Sequence, residues 1–259
     1  MKLIAGKPES MSPVVSHYCP GCSHGVVHRL VAEVLDELGL RERTVGVASV
    51  GCSVLAYNYF ETDFVQAPHG RAPAVATGVK RANPKACVFT YQGDGDMAAI
   101  GTSEVIHAAV RGEKITCIMY NNSIYGMTGG QMSPTTLMGA VTATTPYGRG
   151  AEAGMPYGMA EILATTPGAA YVARTHVADV GNIVKTKRAI KKAFELQMQG
   201  VGFTMVEVLG NCPTNWGVTP SEANAYVKEQ MIPVFKLGEL KDVTKEAKES
   251  KEVLAGVHA

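Results

Sequence analysis

The sequence predicts an α/β protein in which a mainly parallel sheet lies between two layers of helices. Two apolar segments, residues 86–91 and 115–120, have the length and composition of buried strands. Residues 97–111 between them have a helical pattern, and Gly112 is placed to end that helix. A strand–helix–strand unit of about 30 residues makes its two strands parallel. This three-layer arrangement is the fold class that we expect.

The remaining predicted elements continue the alternation of helix and strand. We expect helices at residues 24–38, 73–82 and 179–199, and strands at residues 45–50, 170–174 and 203–209. The long segments 51–71 and 123–170 are predicted to be loops, and loops of this length are usually functional. One domain is predicted at residues 1–235, followed by a charged tail, residues 236–259, that forms a peripheral helix or is loosely held.

Composition limits the classes of function. With 259 residues and 46% hydrophobic content, the chain can form one sizeable core. A formal net charge of +1 gives no general attraction to nucleic acid or to a membrane surface. The sequence has no apolar stretch of the roughly 18 residues that a membrane span needs, and residues 1–8 lack the apolar core of a signal peptide. We therefore expect a soluble cytoplasmic protein.

Polar residues follow the two central strands at the point where each ends. Gly93-Asp94-Gly95 comes after the first strand and Asn121-Asn122 ends the second. Ligands bind at the carboxyl edge of an open α/β sheet, and both motifs emerge there. A carboxylate, an amide oxygen and a carbonyl from the turn at Ser123-Ile124 are ligands that Mg²⁺ accepts, and the glycines allow a diphosphate to approach. The alternative for either motif alone is an ordinary turn.

The six cysteines fall into two groups. Cys87 and Cys117 lie inside the apolar strands, where a free thiol behaves as a small buried hydrophobe. The other four lie at turns beside Pro or Gly, and these are Cys19, Cys22, Cys52 and Cys212. Four such thiolates match a metal site, and their spacing fits zinc and an iron–sulfur cluster equally well. Cys52 follows a predicted strand and so emerges at the presumed diphosphate edge.

Together these motifs resemble a known family. The Gly-Asp-Gly and Asn-Asn pair resembles the thiamine diphosphate signature, and residues 122–136 resemble the β subunit of the 2-oxoacid:ferredoxin oxidoreductases. So do residues 19–22, 51–53, 69–71 and 212–216, in the family's order. The resemblance implies the diphosphate-type thiamine diphosphate-binding fold, Mg²⁺ held by Asp94, Asn122 and the Ile124 carbonyl, and a [4Fe–4S] cluster. The implied cluster ligands are Cys19, Cys22, Cys52 and Cys212.

The resemblance also implies which residues contact the cofactor. These are Gly51, Ser53, His69, Gly93, Asp94, Gly95, Asp96, Asn122, Ile124, Tyr125 and Met127. His69 is expected to transfer a proton or contact the cofactor, although a loop histidine can also cap a helix. Met127 is expected to press on the thiamine, the alternative being ordinary packing. For His17 and His24 beside the cysteines, helix capping is the simpler interpretation, and hydrogen bonds to the cluster are the alternative.

The implied activity is the coenzyme A-dependent oxidative decarboxylation of a 2-oxoacid, with electrons passed to ferredoxin. Thiamine enzymes need a glutamate from a pyrimidine-binding domain, and Glu104 lies in the wrong half of the site. An α subunit is therefore expected to supply that residue, further subunits can join it, and the chain alone should be inactive. The long segment 123–170 is expected to contact a partner.

Substrate choice depends on the uncharged run after Cys52. Residues 53–60 resemble the 2-oxoisovalerate branch of the family, and an apolar pocket disfavours a substrate with a second carboxylate. The first alternative is 2-oxoglutarate. The others are a non-redox thiamine diphosphate decarboxylase or lyase subunit and a zinc-stabilised scaffold. The basic face of helix 179–199 is interpreted as solvated, with a docking site for an acidic ferredoxin as the alternative.

Overall fold

A seven-stranded sheet organises residues 6–245, the part of the chain that this computed structural model describes. The strands are β1 (Thr44–Ala48), β2 (Asp63–Gln66), β3 (Cys87–Gly93), β4 (Thr116–Asn121), β5 (Ala169–His176), β6 (Phe203–Leu209) and β7 (Gly238–Asp242). The α-helices are α1 (His24–Glu37), α2 (Ala72–Ala82), α3 (Thr102–Val110), α4 (Met159–Ala164), α5 (Val180–Met198), α6 (Pro213–Trp216), α7 (Pro220–Tyr226) and α8 (Ile232–Val234).

The strand order is β2-β1-β3-β4-β6-β5-β7, and every neighbouring pair is parallel except β5 and β7. Gly93 at the end of β3 pairs with Tyr120 near the end of β4. The two polar motifs therefore emerge side by side at one edge of the sheet. This confirms the predicted crossover and the mainly parallel sheet.

Two hydrophobic layers cover the sheet. One face packs against α1 and α5, through residues such as Val31 and Phe194. The other face packs against α2, α3 and α4, through residues such as Ala76 and Leu163. Alternate residues of the buried strands enter the two layers, as the pleat of a strand requires. The three-layer α/β fold is therefore confirmed.

The polar edge strands were missed. The predicted loop 51–71 contains β2, and its side chains are largely exposed. The interpretation of the tail as a peripheral helix or loosely held segment is wrong for Gly238–Asp242, because these residues pair with β5 as an antiparallel edge strand. The rest of the predicted tail, residues 246–259, lies outside the described residues. No helix among residues 6–245 combines the length and apolarity needed to cross a membrane.

The basic face of α5 is partly neutralised within the fold. Lys187 makes ion pairs of 2.7 Å with Glu33 and Glu37 of α1. Lys191 pairs with Glu37 at 2.9 Å, and Lys192 pairs with Asp242 of β7. Much of the face that was predicted to be solvated therefore contacts other elements of this chain. Fewer unpaired cations are left on it to bind an acidic ferredoxin.

Candidate functional site

Three oxygen atoms converge where β3 and β4 end. The side-chain oxygen of Asn122 lies 2.8 Å from the Ile124 carbonyl oxygen and 3.1 Å from Asp94 Oδ1. All three residues are buried. If the Asn122 amide were turned over, its nitrogen would donate hydrogen bonds to both oxygens. Without a cation, the turned-over amide satisfies these contacts. The orientation with the oxygen inward leaves three acceptors facing one another and requires a cation between them.

The spacing of these oxygens fits a small hard cation. Ligand distances of about 2.1 Å around Mg²⁺ place neighbouring octahedral ligands about 3.0 Å apart. The observed separations of 2.8 and 3.1 Å lie on either side of that value. One carboxylate, one amide and one carbonyl also leave several positions for a phosphate and water, as Mg²⁺ prefers.

Two hydroxyls hold the other oxygen of Asp94. Ser133 Oγ donates to Asp94 Oδ2 at 2.5 Å, and Thr135 Oγ1 donates to the same atom. Burial raises the pKa of Asp94 to about 6, although the hydrogen bonds from Ser133 and Thr135 act in the opposite direction. A carboxylate that is costly to ionise in the metal-free protein gains most when a cation is bound beside it.

A second carboxylate in this region orients a histidine. Asp96 Oδ1 is hydrogen bonded to His69 Nδ1 and also accepts from Ser49 Oγ at 2.8 Å and from the backbone N–H of Gly70 at 2.7 Å. Its other oxygen accepts from Gln92 Nε2 at 2.5 Å. The carboxylate is thus fully engaged by the protein. His69 Nε2 remains as the ring atom that can meet a ligand.

The four turn cysteines gather beside the oxygen site. A Cβ on Gly126 would stand 3.4 Å from Cys52 Sγ, 3.6 Å from Cys212 Sγ and 3.7 Å from Asn122 Nδ2. The backbone of Cys22 donates to the Cys19 carbonyl at 3.0 Å, which closes the Cys-Pro-Gly-Cys turn. Asn215 Nδ2 donates to Cys212 Sγ at 3.2 Å.

Electrostatics couple these thiols. Burial, followed by the charges of the neighbouring cysteines, raises the pKa of Cys22 to about 11 and that of Cys52 to about 12. Within residues 6–245, no three His, Cys, Asp or Glu side chains enclose a single metal ion. The four thiols are close enough for their charges to raise one another's pKa, as expected of groups that share one site.

A cavity of about 100 Å³ joins these features. It is lined by residues of both predicted motifs, including Cys52, His69, Asp94, Asn122 and Met127. This volume is below the roughly 300 Å³ at which ligand pockets usually begin, so the chain encloses only part of a ligand. A larger cavity of about 470 Å³ lies between α5 and β7, but none of these motifs contributes to it. The converging chemical groups make the smaller cavity the candidate site.

The family comparison supports the same location. The model for "Thiamine pyrophosphate enzyme, C-terminal TPP binding domain" matches residues 49–208, which include both polar motifs. Among similar proteins is the "Ketoisovalerate oxidoreductase subunit VorA" of Methanothermobacter thermautotrophicus, 46% identical over 252 residues. A "2-oxoglutarate synthase subunit KorB" of Archaeoglobus fulgidus is 40% identical over 212 residues. The chain belongs to the 2-oxoacid:ferredoxin oxidoreductase family.

Coverage differs between these relatives. The match to the VorA protein takes in 93% of this chain but 53% of the relative, so the chain spans about half of that relative's length. The match to the KorB protein takes in 82% of this chain and 75% of the relative. A solved structure, "2-oxoglutarate:ferredoxin oxidoreductase from Magnetococcus marinus with 2-oxoglutarate, coenzyme A and succinyl-CoA bound", superimposes with a TM-score of 0.71 at 32% identity. That superposition covers 82% of this chain and 70% of the other.

Several positions that the family resemblance predicted line the cavity. Gly95 lies so close to Tyr125 that a Cβ there would stand 2.1 Å from the ring, and Tyr125 Oη donates to the Gly95 carbonyl at 3.1 Å. Gly51 has a φ of +110° and precedes the short 3₁₀ helix Cys52–Asn58. Ser53 is 1% exposed, and its hydroxyl has no hydrogen-bond partner. Gly93 and Met127 also line the cavity, and Met127 is 49% exposed.

The capping interpretation of His24 is wrong. The N-terminus of α1 has no side-chain cap. His24 is instead buried, with its ring stacked 3.7 Å from that of Tyr120 and its Nδ1 2.8 Å from Tyr91 Oη. His17 also turns to a tyrosine, with Nδ1 2.5 Å from Tyr59 Oη. The tyrosine hydroxyls offer these rings buried partners that the helix end does not.

Sequence reasoning also missed supporting residues. Ser133 and Thr135 hold Asp94 from a predicted loop, and Arg149 holds that loop from within. Asn121 was treated only as the first half of the Asn-Asn pair, and Glu207 only as part of a buried strand. A charged residue inside an otherwise apolar strand was the available signal for Glu207, because such groups are buried only when they are paired.

Proposed function

We propose that this chain is the thiamine diphosphate-binding β subunit of a 2-oxoacid:ferredoxin oxidoreductase that decarboxylates a branched-chain 2-oxoacid. The observation that carries the proposal is the convergence of Asn122 with the Ile124 carbonyl and Asp94, at 2.8 and 3.1 Å, beside four gathered cysteines. Six unpaired cysteines support the expected cytoplasmic location, since disulfides are rare there.

Asp94, Asn122 and the Ile124 carbonyl would hold Mg²⁺, which would supply positive charge to the diphosphate. Gly93 and Gly95 would let the backbone approach the phosphate oxygens, and Tyr125 packed on Gly95 would fix that turn. Cys19, Cys22, Cys52 and Cys212 would hold a [4Fe–4S] cluster. The cationic cluster would offset the mutual repulsion and burial that raise the pKa of Cys52 to about 12.

When bound, thiamine diphosphate supplies the carbanion chemistry that removes carbon dioxide from a 2-oxoacid, and the cluster accepts the electrons. Asp96 fixes the His69 ring so that Nε2 can exchange a proton with a ligand in the cavity. Met127, half-exposed at the cavity, would press on the thiamine and hold it bent. Ser53 offers a buried hydroxyl, free of protein partners, to a bound group.

A partner subunit would complete the site. The cavity of about 100 Å³ encloses too little space for the whole cofactor. Glu104 is paired with Arg71 at 2.5 Å and is not among the described residues that line this cavity. An α subunit would therefore bring the pyrimidine-binding half and its glutamate, and ferredoxin and coenzyme A would be the further reactants.

A branched-chain substrate such as 2-oxoisovalerate is favoured over 2-oxoglutarate. Of the described residues that line the cavity, none is Lys or Arg, so this chain offers no cation to a second carboxylate. Leu55 packs against the core instead of lining the cavity. The higher identity to the ketoisovalerate relative, 46% against 40%, supports the same choice.

The test is anaerobic purification of the chain with its co-expressed partner subunits. We expect one thiamine diphosphate, one magnesium and about four irons per chain. Asp94→Asn should remove the magnesium and most of the thiamine diphosphate while the iron remains. Asp63→Asn, an exposed carboxylate on β2, is the matched control. A colourless, iron-free complex that contains thiamine diphosphate would favour the non-redox enzyme, and zinc without thiamine would favour the scaffold.

Substrate choice is tested separately. Viologen reduction by the complex, measured with 2-oxoisovalerate, pyruvate and 2-oxoglutarate, should give the largest kcat/KM for 2-oxoisovalerate. An advantage of about tenfold corresponds to about 1.4 kcal/mol of differential binding in the transition state. A larger value for 2-oxoglutarate would reject the branched-chain assignment and leave the family reaction intact.

A further inference from the structure

Three buried polar side chains form a row across neighbouring strands, ending beside the oxygen site. Arg174 of β5 stands directly beside Glu207 of β6 in the strand register. Asn121 of β4 pairs with Leu209, two residues after Glu207, so Asn121 and Glu207 are diagonal neighbours on one face. All three residues are at most 1% exposed.

The contacts in this row define the orientation of Asn121. Asn121 Nδ2 donates to Glu207 Oε1 at 2.7 Å, and Arg174 Nε donates to Glu207 Oε2 at 2.9 Å. Both oxygens of Glu207 accept; burial raises the pKa of this carboxyl, whereas the adjacent Arg174 favours its ionised form. The remaining nitrogens of Arg174 bind Glu161 at 2.6 Å each. With its nitrogen held by Glu207, the Asn121 amide must direct its oxygen the other way.

That oxygen holds a strained residue. Asn121 Oδ1 accepts from the backbone N–H of Ser123 at 3.0 Å. Ser123 has a φ of +55°, and no other non-glycine residue among residues 6–245 has a positive φ. Left-handed backbone is unfavourable for serine, so the surroundings must maintain it. Thr136 Oγ1 assists by donating to the Ser123 carbonyl at 2.6 Å. The next residue is Ile124, whose carbonyl is the third oxygen of the site.

Stability alone does not explain the row. A buried ion pair is often replaceable by apolar side chains of similar size without loss of stability. We propose that Glu207, fixed by Arg174, is a positioning residue: it orients Asn121 so that Ser123 stays left-handed and the Ile124 carbonyl faces the bound divalent cation. This inference depends on the magnesium site proposed above.

The experiment replaces the ion pair by apolar residues in the co-purified complex. Arg174→Met with Glu207→Leu keeps the bulk but removes the acceptor for Asn121. Free Mn²⁺, measured by electron paramagnetic resonance with thiamine diphosphate present, gives the affinity of the site. We expect Mn²⁺ affinity to fall about tenfold or more, the usual effect of losing an outer partner of a metal ligand. Glu161→Gln is the matched control, because it loosens Arg174 only at the far end and should leave the affinity unchanged.

A rescue variant separates positioning from a general effect on folding. Glycine adopts a positive φ freely. Adding Ser123→Gly to the double variant should therefore raise its Mn²⁺ affinity at least about threefold. Unchanged Mn²⁺ affinity in the double variant would overturn the proposal, and so would a loss that Ser123→Gly does not restore. If the wild-type complex binds thiamine diphosphate without Mn²⁺, and Asp94→Asn changes nothing, the magnesium site itself fails.

Discussion

Asp96 and His69 form a hydrogen-bonded carboxylate–imidazole pair at the edge of the cavity. Because Ser49, Gly70 and Gln92 also donate to Asp96, the carboxylate cannot turn away from the ring. Asp96→Asn should lower kcat by about 10- to 100-fold, since the ring loses the partner that fixes its tautomer. The Mn²⁺ affinity of the complex should stay within about twofold, because Asp96 is not a proposed ligand.

Non-additivity provides the control for this pair. If Asp96 acts through His69, the double variant Asp96→Asn with His69→Gln should be no slower than His69→Gln alone. Both variants are compared by viologen reduction under saturating substrate. If the fold-losses in rate of the two single variants multiply in the double variant, Asp96 has a separate role and the pairing is contradicted.

Cys212 and Cys87 allow a matched test of the cluster. Cys212 is near Cys52 and accepts a hydrogen bond from Asn215, whereas Cys87 is buried within β3. Cys212→Ala should abolish most of the bound iron and the visible charge-transfer absorbance of the complex, because one of four thiolate ligands is lost. Cys87→Ala should retain both. Equal iron content in the two variants would exclude Cys212 as a ligand.

The sequence allowed the edge of the sheet to be predicted because parallel strands impose it. Once residues 86–91 and 115–120 were taken as strands of one crossover, Asp94 and Asn122 had to emerge together, and the observed pairing of Gly93 with Tyr120 agrees. The strands β2 and β7 were missed for a different reason. Edge strands are covered on fewer sides and carry polar residues, so their patterns resemble those of loops and tails.

The supporting contacts could not be predicted because they join residues that are distant in the chain. Asn121 and Glu207 are 86 positions apart, and only the register of β4 and β6 brings them together. Ser133 reaches Asp94 across 39 positions from a loop with no periodic pattern. Local motifs therefore indicated which atoms face the site, whereas tertiary contacts decide how those atoms are held.

Arg149 organises the loop that holds Asp94. It is buried and donates to six backbone carbonyls, including those of Ser133, Pro134 and Thr136. The shortest of these contacts, to the Thr136 carbonyl, is 2.5 Å. Arg149→Met should weaken thiamine diphosphate binding by about tenfold and expose residues 133–155 to limited proteolysis, because buried carbonyls lose their donor. Arg29→Met on the surface of α1 is the control. Unchanged binding and proteolysis would contradict this role.

His28 gives the fold a predicted sensitivity to acid. It is fully buried, and burial lowers its pKa to about 3, whereas a histidine in the unfolded chain titrates near 6.5. The unfolded state therefore binds a proton more readily, and the stability that neutral His28 contributes is fully present above pH 6.5 and is lost as the pH falls toward 3. When the pH is lowered from 7 to 5, proton uptake by His28 in the unfolded chain should lower the free energy of unfolding by about 2 kcal/mol.

Urea denaturation of the anaerobic protein at pH 7, 6 and 5 measures this loss. His28→Phe removes the titrating group yet suits surroundings formed by Tyr18, Tyr59, Phe60 and Tyr91. The variant forfeits the contact with Tyr18 Oη, at a cost of about 1 kcal/mol at every pH. Its pH dependence should nevertheless be shallower, although not absent, because burial also lowers the pKa of His24. His107→Gln on the exposed side of α3 should retain the wild-type slope, and an equally steep loss in His28→Phe would show that His28 is not the group responsible.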